Sequence, residues 1–398
     1  MGGTRTLDGV RVLDLSRVLA GPQCAAMLGD LGADVIKIEP PGGDETRGWG
    51  TSSDSRSAAF AAVNRNKRSI VLDLATQEAR DVLHRLVLDA DVLVENFRTG
   101  TMERWGLGWE RLSKDNPRLI YASISAFGRT GEMAEDPGYE AVVQAFAGVM
   151  SITGEQDGPP VRSGPSLLDL GTGIVAAQAV TAALLHRERT GQGQLVETAL
   201  LATAMTMMAY QVHGYFAHGV VPERLGSGHP SLLPYRVYRC GDGEDIFIAA
   251  GNDGLFARFC AALDRESLCS DERFATLDAR RAHRAELDAV VESCLAGFTR
   301  DEVTQRLAQV GVPSAGVNDL ALAAAHPQVR AAKALRTVTD HVTGERVEIV
   351  ASPFVASGMS TDPVRTAPRL GEHTIEVLEQ SGFEGGLIED LLTRGAIA

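Results

Sequence analysis

Lysine is almost missing from this chain. Only Lys37, Lys67, Lys114 and Lys333 contribute to its 38 basic residues, and the rest are arginines. Basic charge is itself in deficit, because 52 acidic residues leave a formal net charge of −14. That balance excludes the broad basic face a phosphate backbone requires, so no nucleic-acid partner is expected. A small local basic pocket for an anionic ligand stays open. Cysteine is sparse and odd in number (Cys24, Cys240, Cys260, Cys269, Cys294), and no CxxC occurs. Neither a disulfide framework nor a zinc site follows from that pattern, and no metal is expected. The opening MGGTRTLDGVRVLDL has no apolar signal region. No stretch reads as the roughly 18 apolar residues of a membrane span. The expected setting is a reducing cytoplasm, away from membranes. Two phosphate-binding signatures are also lacking. The loop Ser16-Arg17-Val18-Leu19-Ala20-Gly21-Pro22 holds one glycine where a dinucleotide fingerprint needs three, and no Walker A sequence occurs. Glu39, placed like a ribose-binding acid, then reads as a solvated strand end.

What is present is an alternation of strands and helices. Val10–Leu15 and Val35–Glu39 are short apolar runs, and between them Gly21-Pro22 opens a helical pattern that Gly32 closes. Such a βαβ unit implies a parallel sheet with a right-handed crossover. The alternation continues through a strand at Ser69–Leu74, a helix at Thr76–Leu88 with Thr76 as its cap, and strands at Val92–Phe97 and Leu119–Phe127. Helices follow at Tyr139–Met150 and Ser166–Arg189, then a strand at Gln194–Leu200 and a helix at Leu201–Phe216. The character changes near Glu223, where Arg224–Pro234 is rich in turn residues. The fold class expected is therefore α/β. A doubly wound parallel-sheet domain takes residues 1–222, a smaller α+β domain takes 223–326, and 327–398 return to the large domain.

Three local features carry chemistry. Ser166-x-x-Asp169 has the spacing of a helix capping box, and on spacing alone that is its commoner meaning. The other reading is a nucleophile. Gly171 and Gly173 follow one turn on, and each costs about 1 kcal/mol in a helix interior, so they mark a close approach of backbone, ligand or a neighbouring helix. A helix N-terminus is expected to hold Asp169 ionised through its dipole and free N–H groups, and an ionised carboxylate shielded from water is a usable nucleophile. The basic run Asn64-Arg65-Asn66-Lys67-Arg68-Ser69 and Arg104 can receive phosphates, although singly each reads better as a surface charge.

These strings, in their order along nearly the whole chain, resemble the family III coenzyme A transferases. The resemblance rests on Leu7-Asp8-Gly9-Val10-Arg11-Val12-Leu13-Asp14, Ala20-Gly21-Pro22 and Leu31-Gly32-Ala33-Asp34-Val35-Ile36-Lys37-Ile38-Glu39. It continues with Asn66-Lys67-Arg68-Ser69-Ile70, Val94-Glu95-Asn96-Phe97-Arg98, Gly158-Pro159-Pro160, Asp169, Thr190-Gly191-Gln192-Gly193-Gln194 and Gly371-Glu372-His373-Thr374. It implies a ring-shaped chain in an interlocked homodimer. It also implies an enzyme that moves coenzyme A from a donor, succinyl-CoA by resemblance, to a free carboxylic acid, with covalent intermediates on Asp169. CoA and acyl-CoA are then substrates, and no permanently bound cofactor is implied.

The matching CoA-contacting positions are Arg17, Val18, Ala20, Leu72, Asn96, Phe97, Arg104 and Tyr139. Pro40 and Pro137 stand where family members carry basic residues. Gly226-Ser227-Gly228-His229-Pro230 replaces the glycine-rich lid of formyl-CoA transferase and is similar to the version in transferases of dicarboxylic or larger acids. Gly228 and His229 are thus candidate substrate contacts. The alternative function is an alpha-methylacyl-CoA racemase or epimerase, which shares the fold and removes an α-proton between two bases. Tyr139-Glu140 stands where racemases have His-Asp, and Asn252-Asp253 where they have a glutamate, so transfer is the favoured reading.

Overall fold

Residues 5–50 and 56–398 are described in a computed structural model. The chain divides into two compact units. The first runs to Val149 and adds Arg162–Gly219 and Gln328–Ala398; the second comprises Met150–Val161 and Val220–Pro327.

The first unit is built on a six-stranded sheet of β1 (Arg11–Asp14), β2 (Asp34–Glu39), β3 (Lys67–Val71), β4 (Val92–Glu95), β5 (Ile120–Ser125) and β6 (Gln194–Ala199). The order is β3-β2-β1-β4-β5-β6 and every pairing is parallel. Alternate residues face opposite sides of a strand, and both sides here are apolar. Leu13, Ile36, Ile70 and Leu93 face one core, packed by the Gln77–Leu88 helix and by C-terminal helices at Thr374–Gln380 and Gly385–Thr393. Val12, Val35, Val92 and Ile120 face the other, covered by helices Ala20–Asp30 and Leu167–Thr190. Two covered faces make the sheet doubly wound.

The 24-residue Leu167–Thr190 helix is long and apolar enough to cross a membrane by length and composition, a span the sequence reading assigned to no stretch. In this unit its Ala176, Ala177, Val180 and Ala183 pack against Cys24, Ala25 and Leu28. The helix expected over Leu201–Phe216 is two, Leu200–Met207 and Ala209–His218, broken at Met208. A hairpin of β10 (Leu335–Thr339) and β11 (Arg346–Val350) completes the unit.

The second unit holds the antiparallel strands β7 (Tyr235–Arg239), β8 (Asp245–Ala249) and β9 (Ser314–Gly316). Helices Asp253–Ala262, Arg284–Leu295 and Arg300–Gln309 bury Phe256, Phe259, Leu287, Val291 and Leu307 against them. Thr299 and Glu302 form a capping box at the last of these helices. Met150–Val161, which the sequence reading placed within the large domain, belongs to this unit because Arg224 donates to the carbonyls of Glu155 (3.3 Å) and Gly158 (3.0 Å).

Candidate active site

The sheet order places a topological switch between β1 and β4, the position where open α/β sheets bind ligands beyond their strand ends. The loops leaving those two strands are fastened to each other. Asn96 Oδ1 accepts from Arg17 N, and Asn96 Nδ2 donates to Arg17 O, both at 2.8 Å. The Arg17 guanidinium lies 5.2 Å from the centre of the Phe97 ring. Val18 adopts φ +67°, a region that β-branched residues rarely enter.

A cleft of about 630 Å³ opens over this switch point. Arg17, Val18, Ala20, Asn96, Phe97, Tyr139 and Asp169 all line it, with Ile124, Ala126, Phe127 and Leu200 as apolar walls. A second cleft of about 340 Å³ shares Arg17 and Phe97 and is walled by Ile38, Pro40, Leu72, Leu74 and Trp105. Seven of the nine sequence candidates outside the second unit thus meet in the larger cleft, and Leu72 joins them in the smaller one. Arg104 lines neither: it is exposed and folds back to donate to Thr101 Oγ1 at 2.9 Å. Arg98 lines both clefts, and sequence reasoning had not singled it out. Its only signal was adjacency to Asn96-Phe97.

Asp169 lies in the first turn of the Leu167–Thr190 helix, but the capping box is not formed. Ser166 makes no side-chain cap bond. The cap comes from Glu140 instead, whose Oε1 accepts from Leu168 N (3.2 Å) and from Gln144 Nε2 (2.6 Å). Gln144 also accepts from Ser163 N (3.0 Å) and donates to Ser163 Oγ (2.8 Å), which ties the entry loop to the Glu140–Ala147 helix. Relieved of capping, the half-buried Asp169 carboxylate has no hydrogen-bond or ion-pair partner among the described residues. Burial, and then the negative charge of Glu140, push its pKa up to about 7. The expected stabilisation of the anion by the helix end is outweighed. Gly171 and Gly173 serve packing. A Cβ on Gly173 would stand 2.6 Å from Ala20 O, and one on Gly171 would stand 2.0 Å from Met207 Cε.

The basic run leading into and through the start of β3 is not a surface patch. Lys67 Nζ meets Asp14 Oδ2 at 2.7 Å, Arg65 pairs with Asp30 and Arg68 with Asp34 at 2.6 Å each, and all three basic side chains are buried. Glu39 is not a solvated strand end either, since it is buried against Arg47 at 2.7 Å. In the second unit, His229 Nδ1 accepts from Ser231 N (3.0 Å) and Leu232 N (3.2 Å), and Gly228 N donates to Leu225 O (2.8 Å). Burial and then Arg284 lower the His229 pKa. Asn252 caps the Asp253–Ala262 helix, and Asp253 pairs with Arg280 at 2.7 Å.

His341, Glu372 and His373 bring three potential metal donors together. They are already committed: His341 Nε2 lies 2.9 Å from Glu372 Oε1, and His373 Nδ1 accepts from Ser69 N at 3.3 Å. A metal on His373 Nε2 would put a proton on Nδ1, facing that N–H, so the donor set does not suit one. His373 and Thr374 instead cover the edge of β3, whose Val71 N donates to Thr374 Oγ1 at 3.1 Å.

Comparison with known proteins accords with this geometry. Residues 7–374 match the model of CoA-transferase family III. A succinate–glutarate CoA-transferase of Agrobacterium fabrum is 41% identical over 382 residues, which are 94% of this chain and 95% of that protein. A succinyl-CoA:mesaconate CoA-transferase of Haloarcula hispanica is 39% identical, covering 96% and 97% of the two chains. A crystal structure of a CAIB/BAIF family protein from Brucella suis superposes with a TM-score of 0.86 at 39% identity, over 95% of this chain and all of that one. The match over nearly the whole chain, on a parallel sheet whose switch point opens into a cleft, shows that this protein is an enzyme belonging to CoA-transferase family III.

Proposed function

We propose that this enzyme carries CoA from succinyl-CoA to a second carboxylic acid through covalent intermediates on Asp169. The observation that carries the reading is a carboxylate without partners among the described residues, half-buried in the cleft over the switch point, with its pKa pushed up to about 7. Such a group is ionised in part at pH 7 and is not quenched by a counter-ion, so it can act as a nucleophile. It attacks the thioester carbonyl, the C–S bond breaks, and CoA leaves as its thiolate. The mixed anhydride on Asp169 is then attacked by that thiolate at the aspartyl carbonyl, which frees the donor acid and leaves an aspartyl–CoA thioester. The acceptor carboxylate attacks this thioester, and the returning thiolate takes the acceptor's acyl group and releases Asp169. Exclusion of water protects the anhydrides.

The acids are inferred from the relatives, which are named for succinate with glutarate and for succinyl-CoA with mesaconate. The CoA chain would run along the two clefts that share Arg17, Phe97 and Arg98, with its nucleotide in the apolar one beside Leu72 and its thioester toward Asp169. Arg98 and Arg17, which line both, are the cations available to its phosphates. His229 and Gly228 remain candidate contacts of the acid.

Racemisation is disfavoured. Glu140 is buried and spent on capping, Tyr139 is 63% exposed, and Asp253 is neutralised by Arg280, so a pair of free bases is missing at those positions. A cytoplasmic, interlocked homodimer is proposed with the function. The Ala209–His218 helix buries no residue of its own and exposes Tyr210, Tyr215 and Phe216, an apolar face suited to a second copy.

Incubation with succinyl-CoA followed by mass spectrometry should find CoA or succinyl attached to Asp169. Asp169→Ala should lose transfer by at least about 10⁴-fold while CoA affinity stays within about threefold. Full transfer by that variant would defeat the proposal.

A further inference from the structure

Beneath the loop from β1 to the Ala20–Asp30 helix lie six buried charged side chains that the proposed chemistry does not use: Asp14, Lys37, Glu39, Asp44, Arg47 and Lys67. Burying ions costs several kcal/mol each, and a buried pair is weak evidence for stability. Their bonds point instead to a conformational task. Asp14 Oδ1 accepts from Ser16 N at 3.0 Å. Lys37 Nζ donates to Ser16 O at 2.7 Å and pairs with Asp44 Oδ2 at 3.0 Å. Asp44 Oδ1 accepts from Val18 N at 3.4 Å, and is itself oriented by Thr46 N (3.0 Å) and Thr46 Oγ1 (2.7 Å). Lys67 Nζ holds Pro22 O at 2.8 Å. From the β4 side, Asn96 holds both main-chain groups of Arg17.

The loop is thus clamped through its backbone from both sides, which leaves the Arg17 and Val18 side chains to the cleft. Val18 needs such a clamp. A β-branched residue at φ +67° is strained and persists only where the surroundings over-determine it. Neither Lys37 nor Asp44 lines the cleft, so they act through the loop and not on the substrate.

We propose that Lys37 and Asp44 are positioning residues for CoA transfer, holding Ser16–Val18 in the strained conformation that receives the acyl-CoA. This rests on the reading that the thioester occupies the cleft. When the clamp is loosened, the binding-competent loop is only a fraction of the population, and apparent affinity falls by that fraction.

Asp44→Asn keeps the side-chain shape and removes the charge facing Lys37. Its KM for succinyl-CoA should rise about tenfold while kcat changes less than about threefold. Thr46→Val removes a hydroxyl that orients Asp44 Oδ1 and should raise KM in the same direction, by about threefold. A role confined to folding would lower kcat per mole of protein and leave KM where it was. An unchanged KM or a loss confined to kcat in either variant would overturn the proposal. If Asp44→Asn does not fold, Thr46→Val alone decides. The covalent CoA adduct at saturating donor, read on the same variants, separates the two ideas. Its absence in the native enzyme sinks the Asp169 mechanism, whereas an adduct with unshifted KM sinks only the clamp.

Discussion

Asp14 and Asp169 are carboxylates of the same unit in opposite circumstances. Asp14 is wholly buried, and burial by itself would raise its pKa. Lys67 and then Lys37 outweigh that and bring it below the ordinary range. Asp169 is less buried, yet it pairs with no cation among the described residues, and burial with Glu140 carries it up to about 7. Between these two carboxylates the supply of cations, more than depth, sets the direction of the shift. The Asp14 oxygens are taken up by Ser16 and Lys67, whereas those of Asp169 accept no hydrogen bond among the described residues.

That contrast can be broken from the Asp14 side. Lys67→Met leaves the Asp14 charge buried without its closest cation. Urea unfolding should show a loss of about 3–5 kcal/mol, most of it recovered when Asp14→Leu is added. A loss below about 1 kcal/mol would mean that the pair carries no such burden.

From the Asp169 side the expected effect is smaller and of opposite sign. The folded carboxyl keeps its proton up to about pH 7, whereas the unfolded one releases it near 3.8. Between those values the folded state binds more protons, so the contribution of Asp169 to stability falls as pH rises through the window and is fully lost above it. Asp169→Asn should therefore be more stable than the native chain at pH 8 by about 1–2 kcal/mol, after discounting for solvent screening at a half-buried site. The gain should vanish toward pH 4. A gain independent of pH would show that titration of Asp169 is not its source.

The finest adjustment is Glu140→Gln. It keeps an acceptor for Leu168 N and removes the second cause of the raised Asp169 pKa. In the native enzyme kcat/KM should climb with pH through about 7 as Asp169 loses its proton. In the variant that limb should move to lower pH without a change of shape. An unmoved limb would mean that burial acts alone.

The sequence was most readable where structure is local. Thr76 caps its helix through Ala79 N, as its spacing implied, and the strand expected over Val35–Glu39 is found at Asp34–Glu39. It was least readable where partners lie far away along the chain. Arg65, Lys67 and Arg68 look like solvated charge until the sheet brings Asp30, Asp14 and Asp34 beside them. β7 was hidden because Tyr235-Arg236-Val237-Tyr238-Arg239 follows a turn-rich stretch and carries two arginines.

By itself the sequence determined the α/β alternation and the position of Asp169 at a helix start, because apolar period and helix-end chemistry act over a few neighbouring residues. Tertiary structure alone decided what that aspartate does there. The cap was taken over by Glu140, 29 positions earlier (169 − 140), and a side chain freed from capping is one that burial and a neighbouring charge can tune.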